Sequence, residues 1–381
     1  MLLVASTKTH LPSAHMKLRL LFAKVYLVAL ARSSHLSMIR SIQRRTPSWT
    51  GLAPSEIILD VLKISPGYDL DDPKAPSGTY ITDFIASNPH IAVFGAISDH
   101  DGREFTISYT GSFDPTDQIL DNFETEFKVL SNLLEHVEGI NRPLMLSPIY
   151  HDSLESGRDV FSRYMISEPV DELCINTMNS RDISWDHRLE YLMDFAVSGL
   201  YTLRELHTAG WVHGGLSRTS FAQRNEQVFR TAQVFTVLID FSNACALANC
   251  SQPTTAPQDP ISVGLFALTQ GEHRSIREDL FRFGEVLYRM WNEQGFEREL
   301  ERAIIGLEPT SPQYKHAIIH FKSSFETSQV FWLAHEDPEL KALDDYMHTV
   351  RKLKAGEMPP YTYLLGLFSS AKNRDTSFNS F

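Results

Sequence analysis

Val212-His213-Gly214-Gly215-Leu216-Ser217 and, further along, Val237-Leu238-Ile239-Asp240-Phe241-Ser242 are the two stretches that decide how this 381-residue chain is read. Thr236 to Ile239 is a short apolar run, which predicts a buried strand. It ends on a carboxylate and an aromatic ring. An Asp directly after a buried strand can hold a metal ion, or it can simply cap the next turn. The first stretch sets a histidine and two glycines before a leucine, just past a region with helical spacing.

Outward from these stretches the pattern is regular. Upstream, Leu189, Leu192, Met193, Ala196, Leu200 and Leu203 recur at helical spacing. They predict a helix over 185–208, capped by Ser184 and ended by Gly210. Before it, residues 79–110 alternate like strands: 80–85, 91–94 and 104–109, the last after an Asp101-Gly102 turn. The spacing changes to a helical one at 119–134 (Leu120, Phe123, Phe127, Leu130, Leu134), and strands follow near 144–150 and 160–166. Downstream, 251–262 reads as a flexible Ser/Thr/Pro loop. Leu280, Phe283, Leu287 and Trp291 mark a helix over 279–291. Leu343, Tyr346, Val350 and Leu353 mark another, stopped by Pro359-Pro360. Residues 69–78 are rich in Pro, Asp and Gly and read as linker. The expected organisation is a basic N-terminal extension over 1–55 and a linker over 56–78. An α+β domain over 79–370 follows, with a small sheet lobe (79–166) and a larger helical lobe (167–370), and then a tail over 371–381.

Apolar residues make up 43% of the chain, enough for a large core. The formal charge is −12 but unevenly spread. Residues 1–55 hold no acidic and eight basic side chains, which leaves 27 of the 35 basic and all 47 acidic residues in 56–381, a net −20. An acidic body argues against nucleic-acid binding, whose affinity comes from neutralising phosphates. The stretch from Met16 to Ala31 is too short, and too interrupted by Lys24, for a membrane span. An acid-free, Arg- and Ser-containing, partly amphipathic start fits a mitochondrial presequence. Its apolar centre and Ala29-Leu30-Ala31 fit a secretory signal. A disordered basic tail on a cytoplasmic or nuclear protein fits equally. Cys174, Cys245 and Cys250 are odd in number and lack C-x-x-C spacing, which points to a reducing compartment and to no metal site.

The motifs and their order resemble those of protein kinases over 79–370. A kinase reads H-R-D-L-K-P-x-N and then D-F-G at the two opening stretches. Arg277-Glu278-Asp279-Leu280-Phe281-Arg282-Phe283-Gly284 resembles the R-D-D-L-x-S-L-G segment of the casein kinase 1 group. Pro359-Pro360-Tyr361-Thr362-Tyr363-Leu364-Leu365-Gly366-Leu367-Phe368 resembles its P-D-Y-x-Y-L-x-x-L-F. The resemblance is thus to a divergent casein kinase 1 or vaccinia-related kinase branch, and it implies a two-lobed kinase-like fold. A second resemblance, carried by His213-Gly214 and Leu238-Ile239-Asp240-Phe241, is to aminoglycoside- and choline-kinase-like phosphotransferases, which lack the other two segments.

The resemblance also shows what is missing. The phosphate-covering glycine loop falls on Ala86-Ser87-Asn88-Pro89-His90-Ile91, without a glycine. The phosphate-pairing Lys falls on Ser108, the catalytic Asp on Gly215, the loop Lys on Ser217 and the loop Asn on Ser220. Glu126, matched to the helix glutamate that pairs with that Lys, is left as a solvated residue or one paired to another base. Positions matched to packing roles remain: His213, Leu216, Phe241, Asp279 and Gly284. His213, Phe241 and Leu130 match an apolar spine joining the lobes, and Asp279 matches the anchor of the catalytic-loop backbone. Random decay would not spare one class in this way. The implied function is a catalytically impaired pseudokinase, a scaffold or allosteric partner of another protein, with weak or no binding of ATP and Mg. The alternative is an atypical Ser/Thr kinase or small-molecule phosphotransferase that uses Asp240 and a divalent metal. The nucleotide-site candidates are Ser108, Glu126 and Asp240, and the metal candidates are Asp240 and Ser220.

Overall fold

Alternation in residues 79–112 builds a sheet. The computed structural model describes residues 52–70, 78–87, 90–133, 137, 139–154, 157–178, 184–228, 231–241, 243–250, 260–261, 263–327 and 338–378. The basic extension up to Gly51, Asn88, Pro89 and most of the 251–262 loop lie outside these residues. Strands β1 (Thr79–Ser87), β2 (Ala92–Ser98) and β3 (Glu104–Ser112) run antiparallel. The β2–β3 turn is the Asp101-Gly102 turn expected from the sequence. Gly102 takes a φ of +68°, and Asp101 Oδ1 accepts the Arg103 N–H at 3.1 Å. Helix α2, the second in chain order, spans Gln118–Leu133 and is followed by β4 (Pro143–Leu146), β5 (Tyr150–Ser153) and β6 (Asp159–Ser167). The sheet order is β1-β2-β3-β6-β4, with β5 also paired to β6.

Each face of this sheet is covered by a different layer. Phe105, Ile107 and Tyr109 alternate along β3 and pack with Phe94, Tyr164 and Ile166. Their cover is the segment before the sheet: α1 (Pro54–Glu56), a π-helical turn (Ile57–Val61), and buried Ile58, Ile64 and Leu70. A Cβ on Gly111 of β3 would stand 3.1 Å from Ile58 Cδ1, so glycine lets this layer approach. The expected linker over 56–78 is therefore corrected in its first part, because the fold begins near Pro54 rather than Thr79. The apolar run 57–64 belongs to the core and is not a tether. The opposite face packs on α2, which buries Leu120, Phe123, Val129, Leu130 and Leu133.

The rest is mainly helical. Helix α4 (Trp185–Thr208) runs over the expected residues, with Ser184 Oγ accepting the His187 N–H. Its stripe of Leu192, Met193, Ala196, Leu200 and Leu203 is buried. It crosses α6 (Ile276–Ile304), which carries the expected 279–291 stripe and kinks at Asn292. The crossing is close, since a Cβ on Gly199 would lie 2.7 Å from the Phe283 ring. Gly284, next to Phe283 on α6, is crowded by Met347 of α8 (Pro338–Arg351). Helix α9 (Tyr361–Phe378) continues through residues 371–378, so the expected tail is helical as far as Phe378.

Several elements were not legible. Only 236–239 reads as a strand, yet β9 (Phe221–Val228) and β10 (Thr231–Leu238) form a hairpin, and β7 (Glu172–Leu173) pairs with β9. Two-residue strands β8 (Trp211–Val212) and β11 (Cys245–Ala246) pair with each other. Cys245 and Cys250 are joined in a disulfide and Cys174 is a buried free thiol. No helix among the described residues is long and apolar enough to cross a membrane.

Candidate functional site

Strand β10 delivers Asp240, and both its edges are held. Leu238 faces Phe221 on β9, and on the other side its N–H reaches Gly139 O at 2.7 Å. The Ile239 N–H then donates to Ser220 O at 2.9 Å, which ties β10 to the 213–220 loop. The chain turns at Asp240, which is half-buried with a φ of +64°. This left-handed conformation is uncommon for a residue with a Cβ and is best tolerated by Asn and Asp. Phe241 follows, fully buried, its ring centroid 5.0 Å from that of His213.

Glu126 closes this turn from α2. Its Oε1 accepts the Phe241 N–H at 2.7 Å, and its Oε2 is buried with no hydrogen-bond partner. The side chain is 2% exposed, and among the described residues it takes part in no ion pair. Both expectations for Glu126, a solvated position or a pair with another base, are therefore corrected. A carboxylate without a cation in such a place is costly to ionise. Burial, with the Asp240 charge nearby, pushes its carboxyl up to about 8, against the usual 4.5. Its burial thus favours the neutral carboxyl.

A stability dependence follows. The folded value lies above that of the unfolded chain, so the contribution of Glu126 is greatest below pH 4.5 and is lost as the pH rises to about 8. A shift of that size corresponds to on the order of 5 kcal/mol when fully expressed. Glu126→Gln keeps an acceptor for the Phe241 N–H and cannot ionise. The variant should exceed the parent in stability at pH 8 and lose that advantage toward pH 4.5. Urea unfolding across this range measures the difference, and parallel curves would rule out a neutral buried Glu126.

The 213–220 loop is anchored rather than armed. Asp279 Oδ2 accepts the His213 N–H at 2.7 Å and Oδ1 the Gly214 N–H at 2.9 Å, the contact expected of the matched anchor. His213 is fully buried, and its Nε2 lies 3.1 Å from Ile239 O. It packs and bonds, as its sequence context predicts. Gly214 has a φ of +71°, and a Cβ there would meet Asn243 O at 2.6 Å. Gly215 has no special backbone conformation, but its Cβ would stand 2.9 Å from Asn243 Nδ2. The space of the expected catalytic carboxylate is bordered by Asn243. Ser220 is fully buried, and its Oγ accepts the Ser217 N–H at 3.0 Å. It closes the loop's own turn. No group of three or more His, Cys, Asp or Glu among the described residues could hold a metal ion.

Ser108 lies half-buried on β3 opposite Val93 and Met165. Its neighbour Thr106 is structural, its Oγ1 accepting the Val170 N–H at 2.8 Å. The structure thus joins Glu126, Phe241 and the Asp240 turn, and joins the 213–220 loop to Asp279 and Asn243. A cavity of about 30 Å³ lies between His90, Ile91, Ile119, Asn122, Phe123 and Asn243. It is water-sized, far below the 300–1,000 Å³ of an ordinary ligand pocket. Asn243 is the site residue that sequence reasoning missed, and nothing in Asp240-Phe241-Ser242-Asn243 signals where its side chain goes. No protein-family model matches this chain, and no curated protein matches it in sequence.

Proposed function

We propose that this chain is a kinase-like protein of the casein kinase 1 or vaccinia-related kinase type that has lost phosphoryl transfer and serves as a scaffold or allosteric partner of another protein. The observation that carries the reading is the state of Glu126. In the family it resembles, this glutamate positions the lysine that pairs with the phosphates. Here Ser108 stands in the lysine position, and Glu126 instead receives the Phe241 N–H inside the core. Gly215 supplies no base, which removes a device worth roughly 10²- to 10⁴-fold in rate. Sheet order β1-β2-β3-β6-β4, with a helix between β3 and β4 and a helical part after the sheet, supports the two-lobed comparison. Exposed apolar surface supports a partner-binding role: Met358 and Tyr363 are 58% and 53% exposed and border a concavity of about 760 Å³.

Asp240 favours a second reading, a residual phosphotransferase. It is half-buried at the end of a strand in a left-handed conformation, and such backbone outliers concentrate at functional sites. Thermal unfolding with ATP, alone and with Mg or Mn, beside Asp240→Ala, separates the two. A ligand at 100 times its Kd stabilises the folded state by about 2.7 kcal/mol. The scaffold reading expects little or no shift under any condition. A metal-dependent shift that Asp240→Ala abolishes would overturn it in favour of the enzyme.

A further inference from the structure

The later part of the 213–220 loop borders another cavity, of about 390 Å³, that has no part in the reading above. Its volume falls within the roughly 300–1,000 Å³ of small-molecule sites. Helix α6 supplies one wall. Arg282, Glu285 and Arg289 follow one another at steps of three and four residues and so share a face of that helix. Arg218 lines the cavity from the loop, and Glu293 and Glu297 line it from beyond the kink at Asn292.

The charges around this cavity do not balance. Arg218 pairs with Glu293, and Arg289 with Glu297. Glu285 alone answers both Arg282, at 3.2 Å, and the buried Lys322, at 2.5 Å. Four cations thus meet three carboxylates, a local positive excess in a chain whose formal charge is −12. The crowding is felt at Arg289. Burial lowers its guanidinium to about 10 against the pull of Glu285, and the Arg282 and Arg218 charges push the same way as burial. Arg282 spends its Nε on Leu216 O at 2.9 Å and its Nη1 on Glu285, and its Nη2 has no partner among the described residues.

Guanidinium forks choose among anions by shape. A carboxylate offers two oxygens in a plane, and each fork here already holds one carboxylate. A phosphate group offers three oxygens spread in space and serves several forks at once. A local excess of one charge suits a single phosphate better than a di- or triphosphate, whose further charges would meet Glu293 and Glu297. The same two carboxylates accept hydrogen bonds and so suit hydroxyl groups.

We propose that this cavity binds a sugar monophosphate, with its phosphate on Arg218, Arg282 and Arg289 and its hydroxyls on Glu293 and Glu297. The site shares no residue with the Asp240 turn and needs no divalent metal.

The test is isothermal titration calorimetry of the full chain, without metal and at constant ionic strength. The probes are glucose 6-phosphate, inorganic phosphate, glucose, ATP and a short phosphoserine peptide. Glucose 6-phosphate should bind saturably, inorganic phosphate and ATP more weakly, and glucose not at all. Arg289→Gln should abolish the binding. Arg218→Gln should weaken it about tenfold, the loss of one charge-assisted hydrogen bond. Arg218 is the most exposed of the three arginines, so its variant decides if Arg289→Gln does not fold. Asp240→Ala should bind glucose 6-phosphate as the parent does, which keeps this result apart from the fate of the scaffold reading. Glucose 6-phosphate heats no greater than those of sodium chloride overturn the proposal, and so does an affinity unchanged in Arg218→Gln. Tighter binding of the phosphoserine peptide than of glucose 6-phosphate also overturns it, in favour of a protein ligand.

Discussion

Asp279→Ala should remove about 3–5 kcal/mol of stability, the largest loss expected from a single truncation near the candidate site. The carboxylate is 1% exposed and serves three donors. It accepts the His213 and Gly214 N–H groups at 2.7 and 2.9 Å and lies 3.1 Å from His207 Nε2. Alanine leaves two buried N–H groups and an imidazole without this partner, and each orphaned group costs about 1–3 kcal/mol. Set against a total stability of about 5–15 kcal/mol, that loss brings a domain close to unfolding. Asp279→Asn retains one acceptor oxygen and should fall between parent and Ala. Asp240→Ala should cost far less, since Asp240 is only half-buried. Urea midpoints at constant slope read all three. A loss below about 1 kcal/mol for Asp279→Ala would mean that Asp279 does not anchor the loop.

Lys322→Met should also be damaging, because it removes one of the two cations bonded to the buried Glu285 carboxylate. Lys322, on α7 (Pro312–Ser324), is 3% exposed; its Nζ lies 2.5 Å from Glu285 Oε1 and 3.2 Å from Ile261 O. Glu285 is 4% exposed and also receives Arg282 at 3.2 Å. Burial opposes ionisation of Glu285, yet the charges of Lys322 and Arg282 outweigh it and hold the carboxyl below its usual range. Removing one member of a buried pair costs about 3–5 kcal/mol, whereas replacing both by apolar groups is often close to neutral. The double variant Glu285→Leu/Lys322→Met should therefore recover much of what Lys322→Met loses. A double-mutant cycle in urea gives the coupling directly. Additive single losses would show that the pair does not act as a unit.

Much of the fold was legible where a single local period dominates. Ser184, the six-residue apolar stripe and Gly210 define α4 from end to end, because a cap, a 3.6-residue period and a positive-φ glycine are all local signals. The alternation of 79–110 defines three strands in the same way. The 57–64 run announces burial, but its cover, the outer face of the sheet, is a distant surface. The hairpin over 221–238 was hidden because Gln223, Arg224, Asn225, Glu226 and Gln227 break the apolar pattern of a buried strand. The Cys245–Cys250 link was hidden because spacing alone does not say whether the chain turns back on itself.

The candidate site divides along the same line. The sequence by itself determined which charges are present: no lysine at 108, no carboxylate at 215, an aspartate kept at 240 and a glutamate kept at 126. It also determined the anchor, since Asp279 lies on a helix whose register is readable. Only the tertiary structure decided what the remaining groups do. Glu126 meets Phe241 across 115 residues of chain, and that approach, not its residue type, buries the carboxyl and favours its neutral form. Asn243 takes its place beside Gly215 because β8, β11 and the 213–220 loop converge there. Residue type sets the charge a position can carry. Solvent access and neighbours, which the packed chain alone supplies, set whether that charge exists and what it can reach.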